Sequence, residues 1–258
     1  MRLEDRIAIV TGGGHGIGRA IALALARAGA DVTVAGTNEA ALSETSREIR
    51  ELGRRALAVV ADVSREEQVK AMVERALREF GRADLLVNNA GVAGPTAPAV
   101  EVSRSEWDEV LAVNLTGPFL CAKAVLPAMV ARRSGKIINI SSIAGKLAYA
   151  LRSPYAVSKW GLVGLTLTLA QELGPYNIQV NAVCPGPVAG ERMRRVIERR
   201  AEELGQPAAE VERAYVEKTA LKRMVGEDEV AATVVFLASD EADGITGQAI
   251  DVAAGYAL

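Results

Sequence analysis

Tyr155 and Lys159 stand four residues apart in Ser153-Pro-Tyr-Ala-Val-Ser-Lys159, at the head of a run that reads as helical from Pro154 to Leu173. Residues at that spacing project from one face of a helix. A tyrosine with its ordinary pKa of about 10 exchanges protons poorly at neutral pH. An ammonium beside it favours the phenolate and draws that pKa toward the working range, as general acid–base catalysis requires. The same pair also occurs as a plain surface contact on helices, so it carries chemistry only in company. Two serines, Ser141 and Ser142, follow a strand-like run at Lys136–Ile140. A hydroxyl there can hydrogen-bond an oxygen on which charge develops, or it can cap a helix.

Residues 11–18 read Thr-Gly-Gly-Gly-His-Gly-Ile-Gly and enclose His15, the only histidine in the chain. A strand-like run leads into this stretch and a helical run leaves it. In that context backbone N–H groups and a helix N-terminus can receive a pyrophosphate. Gly12, Gly16 and Gly18 can take positive φ and let a ligand approach the backbone; the plain alternative is a glycine-rich turn. The common dinucleotide fingerprint needs glycines at its first, third and sixth positions. Counting from Gly12, the sixth position is Ile17. The form present is therefore Thr-Gly-x-x-x-Gly-x-Gly, with one more residue in the turn.

That form resembles the coenzyme loop of the classical short-chain dehydrogenases/reductases, and further motifs of that family follow in order. Asp62-Val63 comes after the third strand-like run, and Asn88-Asn-Ala-Gly91 ends the fourth. Asn114 lies in the next helical run, and Ser142 stands thirteen residues before Tyr155. Pro185-Gly186 ends the sixth strand. The resemblance implies an NAD(P)-dependent oxidoreductase that transfers a hydride between a nicotinamide cofactor and a small secondary alcohol or ketone. Tyr155 is then the general acid/base, and Lys159 also holds the nicotinamide ribose. Ser142 binds the substrate oxygen, and Asn114 holds a water that links Lys159 to solvent.

By the same resemblance, Gly12, Gly14, His15, Gly16, Ile17 and Gly18 form the phosphate cradle. Asp62 and Val63 meet the adenine; Asn88, Ala90, Gly91, Pro185 and Gly186 also bind the cofactor, and the Val188 backbone meets the carboxamide. A 3-oxoacyl (acyl-carrier) ketoreductase is the alternative substrate class, and an enoyl reductase or epimerase the alternative chemistry. A non-catalytic dinucleotide-sensing scaffold is the reading outside enzymes; it predicts erosion of the four residues, all of which stand. A homotetramer, built through the helices that hold Asn114 and Tyr155, is implied as well.

Two stretches depart from the family's pattern. Pro-Gly-x-Val-x-Thr appears as Pro185-Gly-Pro-Val188-Ala-Gly190, so no side-chain contact to the carboxamide carries over to Gly190. The second strand ends Val34-Ala-Gly36-Thr37-Asn38, without the acidic residue that accepts from a ribose 2′-OH. Its absence removes a group that would repel a 2′-phosphate, yet the arginine often found where Thr37 stands is absent too. His15 with Thr37 and Asn38 can hold such a phosphate, or His15 can simply fill the loop. The balance leans to NADP(H). On the substrate side stand Ser142, Ala144, Tyr149, Tyr155, Pro187 and Met193, suited to an alcohol or ketone with an apolar or cyclic body. Arginines around Arg192 either meet an acidic substrate or form a solvated helix face.

The elements that must position these groups alternate along the chain. Strand candidates are Arg6–Val10, Asp31–Ala35, Ala56–Val60, Asp84–Asn88, Lys136–Ile140, Ile178–Val183 and Gln248–Val252. Helical candidates are Gly16–Ala28, Glu39–Leu52, Arg65–Phe80, Arg104–Arg132, Pro154–Leu173 and Glu227–Ala238, with Ser64 and Ser153 as expected caps. Strands that read as continuous apolar runs belong to a parallel sheet covered on both faces. The expected fold is an α/β, Rossmann-type doubly wound parallel sheet of about seven strands, one domain over 1–258. A helical insertion at 189–225, after the sixth strand, is expected to act as a substrate lid.

Thirty Lys and Arg against 32 Asp and Glu argue against a bulk electrostatic role on nucleic acid or membrane. No apolar run is expected to span a bilayer, and the first residues are expected to enter a strand at once, leaving no room for a signal peptide. Two cysteines, Cys121 and Cys184, read as core in a reducing cytoplasm. No metal is expected.

Overall fold

A computed structural model of the chain describes residues 3–256. Among them, seven strands form one parallel sheet: β1 (Ile7–Thr11), β2 (Asp31–Gly36), β3 (Ala56–Val60), β4 (Leu85–Asn88), β5 (Gly135–Ile140), β6 (Ile178–Pro185) and β7 (Ala249–Val252). Their order is β3-β2-β1-β4-β5-β6-β7. The order reverses between β1 and β4, where ligands bind beyond the strands' carboxyl ends.

Helices α1 (Gly16–Arg27), α2 (Glu39–Glu51), α3 (Glu66–Phe80), α4 (Arg104–Leu111), α5 (Gly117–Arg132), α6 (Ser153–Leu173) and α9 (Glu227–Ala238) cover the two faces. The insertion holds α7 (Glu191–Leu204) and α8 (Ala208–Glu217). Adjacent strand residues point to opposite faces, so Ile138 packs with Ile21, Leu25 and Val234, while Ile137 packs with Met72, Val125 and Met129. A third, small cluster of Ile197, Ala201, Val211 and Tyr215 lies within the insertion itself. A parallel bridge between Val188 and Val225 closes the insertion's base.

Several local expectations change. The run Arg104–Arg132 is not one regular helix, because residues Ala112–Thr116 form a π turn between α4 and α5. Pro118 carries no N–H, so the Asn114 carbonyl lacks the donor that a regular helix would supply four residues on. The Asn114 side chain fixes the widened turn, accepting from Val92 N at 2.8 Å and donating to Val92 O at 3.0 Å. This run also reaches the length and mean hydropathy, 1.5, of a bilayer-crossing segment, contrary to expectation. Its apolar residues have a different use, since Leu120, Cys121, Val125 and Met129 are buried against the sheet.

Neither expected serine cap forms. Ser64 donates its hydroxyl to Asp62 Oδ1 at 2.7 Å, and Arg65 takes the cap position of α3 without a side-chain bond. Ser153 is the first residue of α6, and Arg152 stands at its cap.

Candidate active site

The loop after β1 is held open by a neighbouring strand. Thr11 Oγ1 accepts from Asn89 N at 3.0 Å and Ala90 N at 3.1 Å. Asn89 Nδ2 in turn donates to the Thr11 and Gly12 carbonyls at 3.0 and 3.2 Å. Gly12 has φ +66°, and a Cβ there would lie 2.9 Å from Ala90 Cα. A Cβ on Gly18 would meet the Gly12 carbonyl oxygen at 2.1 Å. These positions admit only glycine. His15 is exposed at the α1 cap and makes no side-chain cap bond. The first-turn N–H groups of α1 are thereby left for a ligand, and a bared backbone at an uncapped helix start fits a dinucleotide's diphosphate. Gly14 plays a different part, because a Cβ there would lie 3.0 Å from Ala41 Cβ in α2.

A cleft of about 1430 Å³ runs from this cradle to the insertion. Gly12, His15, Gly16, Ile17, Gly18, Ala90, Gly91, Ser142, Ala144, Tyr149, Tyr155, Lys159, Pro185, Gly186, Pro187, Val188 and Met193 line it as the sequence leads one to expect. Lys159 is 4% exposed, donates from Nζ to Ile140 O at 2.8 Å, and lies 5.8 Å from the Tyr155 ring centroid. Burial pushes the Tyr155 phenol up. Lys159, Arg192, a hydrogen bond from Ser142, and Arg152 together outweigh that effect and hold it below the usual tyrosine value. Burial lowers the Lys159 ammonium, against the opposing influence of Tyr155. Ser142 Oγ accepts from Ala144 N at 3.1 Å. Ser141 is turned away, donating to the Lys159 carbonyl at 3.0 Å.

Asn114 is fully buried and joins this group through Ser158: its Nδ2 donates to Ser158 Oγ at 3.2 Å. Ser158 Oγ then donates to the Tyr155 carbonyl at 2.7 Å. Ser158 was not foreseen, although it stands one turn before Leu162 on the buried face of α6. Four further candidates lie outside the lining of this cleft. Asn88 is 2% exposed and donates to Asn139 Oδ1 at 2.9 Å, tying β4 to β5 beneath the cleft rather than within it. Val63 is buried against Gly117, where a Cβ would lie 2.8 Å from Val63 Cγ2. Asp62 Oδ1 is engaged by Ser64. Thr37 is exposed beyond β2, outside the cleft lining.

Glu227 is a lining residue that no motif announced. Its carboxylate would lie 3.4 Å from a Cβ on Gly16 and 3.1 Å from one on Gly190, and burial raises its pKa. Gly190 has φ +153°, a conformation L side chains rarely adopt, which accounts for the absent threonine.

The profile of the family described as Enoyl-(Acyl carrier protein) reductase matches residues 12–257. The chain is 40% identical to the "Short chain dehydrogenase/reductase astE" of Aspergillus oryzae, over 99% of this chain and 96% of that one. The chain belongs to the short-chain dehydrogenase/reductase family. Another relative is the "3-oxoacyl-[acyl-carrier-protein] reductase FabG" of Staphylococcus epidermidis, 38% identical over 97% of this chain and 98% of that one. Among solved structures, an NAD+-bound xylitol dehydrogenase superposes with a TM-score of 0.96 at 33% identity, covering 99% of this chain and 100% of that one. An actinorhodin polyketide ketoreductase with NADPH gives 0.93 at 36% identity, covering 98% and 97%. This short-chain dehydrogenase/reductase is an NAD(P)-dependent alcohol/ketone oxidoreductase.

Proposed function

We propose that Tyr155 exchanges the proton of a small secondary alcohol or ketone, in concert with Ser142, Lys159 and Asn114. The carrying observation is that Lys159, Arg192, Ser142 and Arg152 hold the Tyr155 phenol below its ordinary value in a cleft continuous with the glycine cradle. The nicotinamide cofactor, when bound, supplies or accepts the hydride. Tyr155 Oη gives or takes the proton, Ser142 Oγ holds the reacting oxygen, and Lys159 stabilises the phenolate. The Asn114 carbonyl, freed from its helical donor by Pro118, holds the water through which protons return from solvent. Tyr155→Phe removes the acid–base oxygen and keeps the ring. It is expected to lower kcat by at least about 10²-fold, with cofactor binding unchanged by nicotinamide fluorescence. Retained turnover would refute the assignment.

NADP(H) is the proposed preference. The absent acid supports it: a Cβ on Gly36 would meet only ordinary contacts, Leu42 Cδ2 at 3.7 Å and Gly12 Cα at 3.8 Å, so the backbone there does not itself demand glycine. Exposed His15 stands across the loop with its side chain free of any cap bond. Gly36→Asp is expected to swing the ratio of kcat/KM toward NADH by about tenfold or more, since a carboxylate repels a 2′-phosphate. A wild-type preference for NAD would sink the phosphate role of His15.

The FabG relative favours a second reading, 3-oxoacyl-carrier reduction, which a panel of carrier-linked and free ketones separates from the first. A cytoplasmic homotetramer is proposed as the working form, with 189–225 as the substrate lid of a single domain. Phe119 in α5 and Val157, Trp160 and Leu167 in α6 support assembly, since each is more than 40% exposed on the helices flanking the site.

A further inference from the structure

If Tyr155 is the acid–base residue, the substrate half of the cleft holds a charge that its own residues do not balance. Arg152, three residues before Tyr155, is only 2% exposed. Its guanidinium carbon lies 5.2 Å from the Tyr155 ring centroid and 5.6 Å from that of Tyr149. Nη2 donates to Ala93 O at 2.7 Å, and Nη1 reaches Thr96 Oγ1 at 3.4 Å. Both acceptors are neutral, and Nε is buried without a partner. Among the described residues no carboxylate hydrogen-bonds this guanidinium. An arginine is almost never fully buried unless it is paired, and a buried cation left uncompensated is costly.

The surroundings do not supply the missing anion. Of the acids that line the cleft, Glu191 is taken by Arg195, Glu106 closes a capping box with Ser103, and Glu227 faces the glycine cradle. That leaves Glu109. Arg192 also lines the cleft and, among the described residues, donates to a neutral carbonyl alone, Gly91 O at 3.2 Å. We propose that the substrate carries a carboxylate a few bonds from its reacting carbon, and that Arg152 recognises it. The ligand class is a short hydroxy or oxo acid with an apolar or cyclic body.

Position decides between a small acid and a remote phosphate. Arg152 touches the ring of the proton-exchanging tyrosine, so the anion it meets must lie near the reacting carbon. The phosphate of a carrier-linked substrate is a full pantetheine arm away from its ketone, in reach of exposed lining residues such as Arg199 or Lys218 instead. A planar guanidinium is matched to a carboxylate. Its charge also serves the chemistry: a bare carboxylate beside Tyr155 would oppose formation of the phenolate, and Arg152 cancels that field.

The test uses matched ketones, 4-oxopentanoate and 3-oxocyclohexanecarboxylate, each paired with its primary amide. Reduction is followed at the nicotinamide absorbance. In the wild-type protein the acid is expected to exceed the amide in kcat/KM by at least about 30-fold, the loss typical of an unpaired buried charge. Arg152→Gln should collapse that ratio, and Arg152→Lys should restore part of it. Where Arg152→Gln fails to fold, the wild-type protein still decides, because cyclohexanecarboxylate should bind the cofactor-loaded enzyme more tightly than cyclohexanecarboxamide by calorimetry. A wild-type ratio near one overturns the proposal. So does an equal loss on acid and amide in Arg152→Gln, which would assign Arg152 to Tyr155 alone. So too does a preference that survives Arg152→Gln but falls in Lys218→Gln, which would place the anion at the mouth. In each of these cases turnover of the amides still depends on Tyr155, whereas failure of the oxidoreductase reading leaves no Tyr155-dependent turnover on either member of a pair.

Discussion

Under the proposed acid–base reading, Lys159 and Tyr155 divide one task between them, and pH exposes the division. The phenol sits below its ordinary value because nearby cations and the Ser142 hydroxyl outweigh burial. Alcohol oxidation needs the phenolate, so its rate rises as pH passes upward through the Tyr155 pKa and levels off above it. Removing the ammonium raises that pKa. In Lys159→Met the rising limb of kcat/KM for oxidation is therefore expected to move toward alkaline pH by about 1 unit or more, as a pH–rate profile would record. A limb that stays in place would show that Lys159 only braces Ile140. The pair was legible in the sequence because both members lie on one helical turn. Arg152 was not, since its significance depends on Ala93, Thr96 and Tyr149, which only the folded chain brings around it.

Among the elements, the strands and most helices could be read from periodicity, because burial on both faces leaves continuous apolar runs. The π turn at Ala112–Thr116 could not be read that way, since its hydrophobic pattern continues smoothly from α4 into α5. Pro118 was its available signal. Pro118→Ala restores an N–H able to bond the Asn114 carbonyl in a regular helical register. If that carbonyl holds the returning water, kcat is expected to fall by about tenfold with the cofactor Kd unchanged, read by steady-state kinetics and fluorescence titration. The missed caps at Ser64 and Ser153 have another cause. Each hydroxyl stands next to the correct position, and a boundary shift of one residue is beyond what local sequence resolves.

For the whole molecule, sheet order explains why motifs scattered from Thr11 to Val188 meet in one cleft. All the strands run parallel, so every motif at a carboxyl end lies on the same edge. That convergence was legible, and the apolar Leu162–Leu169 stretch already fitted a subunit contact; which apolar residues of α5 and α6 face outward was not, because a helix apolar on all sides reads the same whether its outer face meets solvent or another subunit. Trp160→Glu with Phe119→Glu is expected to convert an assembled protein to smaller species in light scattering, with the far-ultraviolet dichroism retained. A wild-type monomer at micromolar concentration would refute the proposed assembly.

The insertion's separate small core has a consequence for how this protein can change over time. Ile197, Ala201, Val211 and Tyr215 pack on one another and on Tyr149, Met193, Met224 and Tyr256, forming a cluster separate from the two that hold the sheet together. Substitutions there can reshape the ground offered to a substrate while the coenzyme half keeps its stability. The chain is therefore modular in its evolvability: apart from Arg192, whose charge reaches Tyr155, positions in α7 and α8 can be varied without loosening the sheet that carries the coenzyme cradle.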